Sequence, residues 1–254
     1  MDTIIQILAR ELGRSEAHVE NVVRLIDEGN TIPFIARYRK ELHGAMDDTA
    51  LRTLADRLQY LRNLDKRREE VKSAIEGQGK LTEELSAAID AAATLAEVED
   101  LYRPYRQKRR TRATVAREKG LEPLAELLFA QAADGPAPEE AAGAFVDPEK
   151  GVETAEDALQ GASDIIAERI SDDADIRKRL RELVWKKGYL VSAAAAKEPE
   201  DTVYRLYYAF RSPLNRVQGH QVLAINRGER EGVLKVSVEM EREAALIPVR
   251  RAVL

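Results

Sequence analysis

The 254-residue sequence predicts a mainly α-helical protein, with a small mixed α/β element near the C-terminus. Apolar residues recur at helical spacing through most of the first 190 residues. The chain is rich in Ala, Leu, Glu and Arg, and only 5% of its residues are aromatic. One late segment instead alternates apolar and polar residues with a period of two. We therefore expect a multi-helix body with helix-turn-helix elements and one long spine helix over residues 1–190, and the α/β element over residues 191–254.

The chain begins with short predicted helices. Gly13 ends the first helix, and Ser15 is a typical N-cap for the second, which ends at Gly29. Two short helices joined by Gly-Arg-Ser predict a helix-turn-helix-like hairpin. Pro33 is suited to the first turn of a third short helix.

The longest predicted helix is the spine, from about Thr49 to Glu76 after the caps Asp47 and Asp48. At 1.5 Å per residue it is about 42 Å long. Its apolar stripe consists of Leu51, Leu54, Leu58, Leu61, Leu64, Val71 and Ile75. Thr82 and Thr94 are predicted N-caps of two shorter helices that follow.

Residues 132–151 contain six Gly or Pro, which predicts a loop-rich stretch with one short helix. Two helices follow, at about residues 154–170 and 173–187. The segments VYRLYYAF (203–210) and GVLKVSVEME (232–241) are predicted strands. The final LIPVRRAVL is typical of a strand or connector, and we expect it to continue into more chain.

Composition argues against several classes of protein. Cys is absent, which excludes a disulfide scaffold, thiolate metal sites and a Cys nucleophile, and the three His are far apart in sequence. No Gly-rich phosphate loop or catalytic triad motif is present. We therefore expect no enzymatic activity, cofactor, metal or small-molecule substrate. The apolar runs are too short for a membrane helix, and the N-terminus has no secretory signal pattern, so we expect a cytoplasmic protein without a membrane partner.

Charge is strongly segregated, although the net charge is only −5. The segment Arg103–Lys119 has eight basic residues and one acidic residue, whereas residues 134–175 have 13 acidic and two basic residues. Arg and Lys neutralise phosphates, and Tyr can stack on bases. The candidate nucleic-acid-binding residues are Arg103, Tyr105, Arg106, Lys108, Arg109, Arg110 and Arg112. Two alternatives stay open: the run pairs with the acidic stretch of its own chain or with a partner, or it is a solvated loop.

Two other charged clusters have simpler interpretations. The acidic groups Asp47-Asp48 and residues 172–175 precede predicted helices, so we expect helix capping and not a metal site. A second basic cluster lies near Trp185 and Tyr189, and we favour a solvated helix surface there. Its members are Arg177, Lys178, Arg179, Arg181, Lys186 and Lys187.

Three strings resemble the Tex family of bacterial transcription accessory proteins: NTIPFIARYRKE, VEDLYRPYRQKRRTRATVAREKGLEPLA and HQVLAINRGEREGVLKV. The resemblance covers essentially the whole chain. It implies the mainly helical N-terminal part of a longer protein, whose further domains carry much of its RNA or DNA binding. Two functions are compatible with it. One is a module of a transcription accessory protein that contacts nucleic acid non-specifically through basic residues. The other is a helical scaffold that docks transcription-machinery proteins or the remaining domains of its own chain.

Overall fold

The computed structural model describes residues 3–133, 135–196 and 201–254, and within them the chain is mainly α-helical with one three-stranded antiparallel sheet. The chain divides into two compact units, Met1–Tyr105 and Arg106–Leu254. The boundary that we predict between residues 190 and 191 lies within the second unit and stays a prediction.

The first unit is built around the predicted spine. Its helices are α1 (Ile4–Leu12), α2 (Glu16–Asp27), α3 (Ile32–Tyr38), α4 (Asp48–Glu76), α5 (Glu83–Ala91) and α6 (Leu95–Tyr102). With 29 residues, α4 is about 44 Å long. All seven residues of its predicted apolar stripe are buried, and they form one core with residues of the other five helices. The spine helix is therefore confirmed.

Local sequence signals explain where these helices begin and end. Ser15, Asp47, Thr82 and Thr94 each accept a hydrogen bond from a backbone N–H of the first turn that follows. Gly13 adopts φ +61°, a left-handed conformation that favours glycine and ends α1. Because α1 and α2 join through residues 13–15, the predicted hairpin is present as two consecutive helices.

The second unit contains seven helices within its described residues: α7 (Arg112–Glu118), α8 (Glu122–Ala130), α9 (Pro138–Gly143), α10 (Ala155–Asp172), α11 (Ala174–Lys187), α12 (Gly219–Arg230) and α13 (Arg242–Val253). Helices α7, α8 and α9 pack on α10 and enclose a core of their own. Small residues such as Ala113, Ala116, Ala158 and Ala162 fill much of that core, so its helices lie close together.

The sheet has the strand order β2-β1-β3, with β1 (Tyr189–Ala194), β2 (Ala209–Pro213) and β3 (Leu234–Glu239). Tyr189 is aligned with Pro213 on one neighbouring strand and with Glu239 on the other. The predicted small α/β element near the C-terminus is therefore confirmed.

Two local predictions in this region are wrong, and one strand is not predicted at all. The sequence predicts no strand over residues 189–194, which form the central strand β1, and the C-terminal segment forms α13 where a strand or connector is expected. Residues 203–208 form a turn and a short 3₁₀-helix, so the strand expected from residue 203 begins only at Ala209. Tyr204 is the physical reason: it is buried, and its hydroxyl donates to Glu231 at 2.8 Å, which bends the segment out of an extended path.

Candidate nucleic-acid interface

The basic segment, residues 103–119, crosses the boundary between the two units. Arg103 and Tyr105 belong to the first unit, and the remaining basic residues belong to the second. Tyr105 is half-buried and packs against the core of the first unit, while its carbonyl accepts a hydrogen bond from Gln78 at 3.0 Å. Its ring is used in packing, and base stacking by Tyr105 stays a prediction.

The second-unit part of the segment lies against α10. Ala113 and Ala116 of α7 are buried, and Gly161 of α10 faces Ala116 and Leu121. A Cβ added at Gly161 would lie 2.3 Å from Leu121 Cδ1 and 3.3 Å from Ala116 Cβ. A side chain at position 161 would therefore require the buried Leu121 side chain to shift, which disturbs the packing of this core.

Glu168 of α10 is the main acidic partner of this segment. Its carboxylate accepts hydrogen bonds from Arg117 at 2.7 Å and from the Thr111 hydroxyl at 3.0 Å, and it lies 3.5 Å from Lys108 Nζ. The side chain is only 16% exposed. Burial acts to raise the pKa of Glu168, but the hydrogen bonds from Arg117 and Thr111 and the charge of Lys108 hold that pKa below its usual 4.5.

Asp172, at the end of α10, is the second acidic partner. It is buried, and Lys108 donates to its carboxylate. Asp172 was expected to act as a helix cap, but the cap of α11 is Asp173, which accepts from the backbone N–H of Ile176 at 2.8 Å. Lys108 is therefore an anchor between the basic segment and α10, held by two carboxylates.

The other basic residues of the segment differ in how they are paired. Arg110 forms an ion pair with Glu118 at 2.7 Å, and both side chains are largely exposed. Lys119 donates to the carbonyl of Gly151 at 2.6 Å. Arg106, Arg109 and Arg112 are exposed, and they form no ion pair with any residue that the structure describes. We call these three the solvent-facing arginines.

A groove of about 400 Å³ runs beside this segment. Arg110, Arg112 and Lys119 line it on the basic side, and Asp157 and Asp164 of α10 line the other. Glu168 and Asp172 of α10 therefore hold the basic segment, while Asp157 and Asp164 of the same helix line the groove beside it.

The structure brings no catalytic constellation together in the regions it covers. Among the described residues, no three His, Cys, Asp or Glu side chains are grouped so that they could hold a metal ion. His43 is buried in the first unit, and neither of its ring nitrogens has a hydrogen-bond partner there. The described helices include none that is both long and apolar enough to span a membrane.

Comparison with known proteins identifies the family of the chain. The profile described as "Tex-like protein N-terminal domain" matches residues 2–76, and the profile described as "Tex central region-like" matches residues 134–252. Together these matches cover most of both units. The chain belongs to the Tex family.

Curated relatives of this Tex-family chain occur in bacteria and animals. It is 46% identical over 241 residues to "Protein tex" of Bordetella pertussis, which covers 94% of this chain and 30% of that protein. "Transcriptional accessory protein Tex" of Neisseria gonorrhoeae is 40% identical over 239 residues, covering 94% and 31%. "S1 RNA-binding domain-containing protein 1" of Homo sapiens is 32% identical over 246 residues, covering 93% and 24%. The chain thus spans about a quarter to a third of the length of these relatives.

Sequence reasoning found the basic segment but missed how it is divided. The predicted pairing with the acidic stretch is found for Lys108 and Arg117, whereas the solvent-facing arginines form no ion pair with the described residues. The acceptors Glu168 and Asp172 lie 51 to 64 residues beyond their donors in sequence. A signal for Glu168 was available, because on α10 it lies three residues after the buried Ile165 and is thus next to the buried face.

Proposed function

We propose that this member of the Tex family contacts RNA or DNA non-specifically, through the phosphates, with Arg106, Arg109 and Arg112. The observation that carries the proposal is the division within the basic segment. Lys108 and Arg117 are engaged by buried or half-buried carboxylates of α10, while these three arginines face solvent without an ion pair to the described residues. Anchored neighbours reduce the conformational entropy that the arginines lose when they bind.

The chemistry fits phosphate better than bases. Arginine presents a planar, permanently charged group that donates two parallel hydrogen bonds to a phosphate. Contacts of this kind fix position but carry no sequence information, so binding is expected to be independent of sequence. The net charge of −5 opposes association, and this part of the protein is expected to bind weakly.

The names of two relatives also support a role connected with nucleic acid. One is called a transcriptional accessory protein and another an S1 RNA-binding domain-containing protein. We propose a role for this chain in transcription, in the cytoplasm, with nucleic acid and transcription-machinery proteins as its partners. A catalytic role is no part of the proposal, since the described residues form no site for one.

The test is a binding titration of the triple variant Arg106→Ala/Arg109→Ala/Arg112→Ala. Fluorescently labelled single strands and duplexes of RNA and DNA are titrated with wild-type and variant chain at low salt. We expect the variant to bind every one of these more weakly, and by a similar factor for RNA and DNA of the same strandedness, because phosphates are common to all of them. Unchanged affinity of a folded variant would refute the proposal.

A matched control removes the same charge elsewhere in the second unit. Arg216, Arg230 and Arg242 are exposed and also lack an ion pair to the described residues. Replacing these three by Ala changes the net charge equally. If the control lost as much affinity as the test variant, overall charge and not the basic segment would govern binding.

A further inference from the structure

A second surface of this protein has a different chemistry, and it lies between α11 and α13. These two helices pack together and leave a groove of about 320 Å³. From α11 it is lined by Arg179, Leu183 and Lys187, which follow one another at four-residue spacing on one face of the helix. Its remaining lining residues come from α13 and are Ala244, Ile247, Pro248 and Arg251.

The floor of the groove is apolar. Leu183 and Pro248 are half-buried, and Ile247 is 48% exposed although it is a large aliphatic residue. Pro248 lies inside α13 and has no N–H to donate to the carbonyl of Ala244, one turn earlier. Exposed apolar side chains and a helix carbonyl without its usual donor are features that a bound partner would cover.

Three basic residues surround this floor. Arg179, Lys187 and Arg251 are exposed, and none of them forms an ion pair with a residue in the described part of the chain. The nearby Glu243 is turned to Arg250, at 3.3 Å, and Glu182 does not line the groove. The rim is therefore positive while the floor is apolar.

We propose that the α11–α13 groove binds an acidic amphipathic helix of a protein partner. Such a helix places apolar residues at positions i, i+3, i+4 and i+7 on the floor formed by Leu183 and Ile247, and its carboxylates reach the three basic residues of the rim. A nucleic-acid backbone satisfies the rim but leaves the aliphatic floor without an apolar partner, which is why a protein segment is favoured. This docking surface is distinct from the solvent-facing arginines and does not depend on their role.

The test uses a synthetic peptide of about 16 residues with Leu at the four facing positions, Glu at four flanking positions and Ala elsewhere to favour the helix, labelled for fluorescence anisotropy. A peptide of the same composition in scrambled order has the same charge but no apolar face, and a third peptide replaces each Glu with Lys. The full chain is titrated with all three. We expect binding of the first peptide only.

Charge reversal then places the binding in the groove. The double variant Arg179→Glu/Arg251→Glu is expected to lose about tenfold or more in affinity, because two attractive contacts become repulsive. Ile247→Ser tests the floor without a change of charge and is also expected to weaken binding. The control variant Lys186→Glu/Arg242→Glu reverses one charge on α11 and one on α13, both outside the groove. It is expected to retain binding.

Three results would overturn the proposal. The first is equal binding of the ordered and scrambled peptides, which would mean that charge alone acts. The second is an equal loss of affinity in the control double variant. The third is failure of the ordered acidic peptide to bind the wild-type chain; if Arg179→Glu/Arg251→Glu then also lost RNA or DNA binding, the groove would be assigned to nucleic acid. Circular dichroism of each variant establishes that it is folded.

Discussion

Replacing Glu168 by Gln is expected to destabilise the second unit, because this residue holds the basic segment on α10. The substitution keeps the shape of the side chain and removes its charge. Arg117 and Lys108 then face an amide in a site where the carboxylate is only 16% exposed. Each hydrogen bond to a charged group contributes about 1.5–3 kcal/mol, so the two that Glu168 accepts set an upper limit of roughly 3–6 kcal/mol.

Several features reduce that limit. The glutamine oxygen still accepts one hydrogen bond, and Arg117 is about one-third exposed and keeps Glu122 at 3.3 Å. Lys108 keeps Asp172. We therefore expect the free energy of unfolding at pH 7 to fall by about 2 kcal/mol, between the values for exposed and fully buried pairs. Urea unfolding followed by circular dichroism measures it, and Trp185, the only Trp in the sequence, reports on the second unit.

The effect of Glu168→Gln also depends on pH. The pKa of Glu168 is lower in the folded chain than its usual 4.5, so the carboxylate stabilises the fold above that pH, and this contribution is lost as pH falls through the folded-state pKa. The difference between wild type and variant should thus be largest at neutral pH and shrink below about pH 4.5. Glu122→Gln is the control: its side chain is 57% exposed, and the expected loss is below about 1 kcal/mol. A loss under about 0.5 kcal/mol at pH 7, or a difference that does not change with pH, would refute the reasoning.

Two further predictions concern packing and capping. Gly161→Val should lower the free energy of unfolding by about 1–3 kcal/mol in a urea titration, because its Cβ would overlap the buried Leu121. The control Gly219→Val has open space around its Cβ and should lower it less; equal losses would contradict the close approach of α10 to its neighbours. Asp47→Ala should lower the stability measured by thermal unfolding by about 1 kcal/mol, because the Asp47 carboxylate accepts a hydrogen bond from the backbone N–H of Ala50 at 2.7 Å at the start of α4. The control Asp48→Ala removes an exposed ion pair with Arg52 and should lower it less; the reverse order would be inconsistent with Asp47 as the cap.

Much of the first unit could be predicted because its signals are local. A capping side chain such as Asp47 and a left-handed glycine such as Gly13 act on the next or preceding turn, so they are readable from neighbouring residues. The apolar stripe of α4 follows from helical periodicity alone. For α4 the expected and observed bounds accordingly agree to within one residue.

The sheet was harder to predict because its pairing is not local. The central strand β1 directly follows α11, and only pairing with β2 and β3 on both sides makes it a strand. Conversely, residues 203–208 have aromatic strand formers, but burial of Tyr204 and its bond to Glu231 decide their conformation. Tertiary contacts overrode local preference in both places.

The candidate site was predictable as a charge pattern but not as an arrangement. Composition along the chain shows the basic segment, yet the assignment of Lys108 to Asp172 depends on how α10 packs on α7. The same packing leaves Arg106, Arg109 and Arg112 facing solvent. A charge run therefore specifies which residues are candidates, and the fold decides which of them are available to a ligand.

The salt dependence of nucleic-acid binding tests this division most directly. Each phosphate contact contributes about −0.9 to the slope of log K against log salt on duplex and about −0.7 on single strands. Three contacts predict that Arg106→Ala/Arg109→Ala/Arg112→Ala has a slope shallower by about 3 on duplex and about 2 on single strands, with the free energy of unfolding unchanged. Between about 50 and 200 mM salt, wild type should accordingly lose about 40-fold more affinity for duplex than the variant. An unchanged slope together with a lowered melting temperature would contradict the account, because these arginines would then be structural anchors like Lys108.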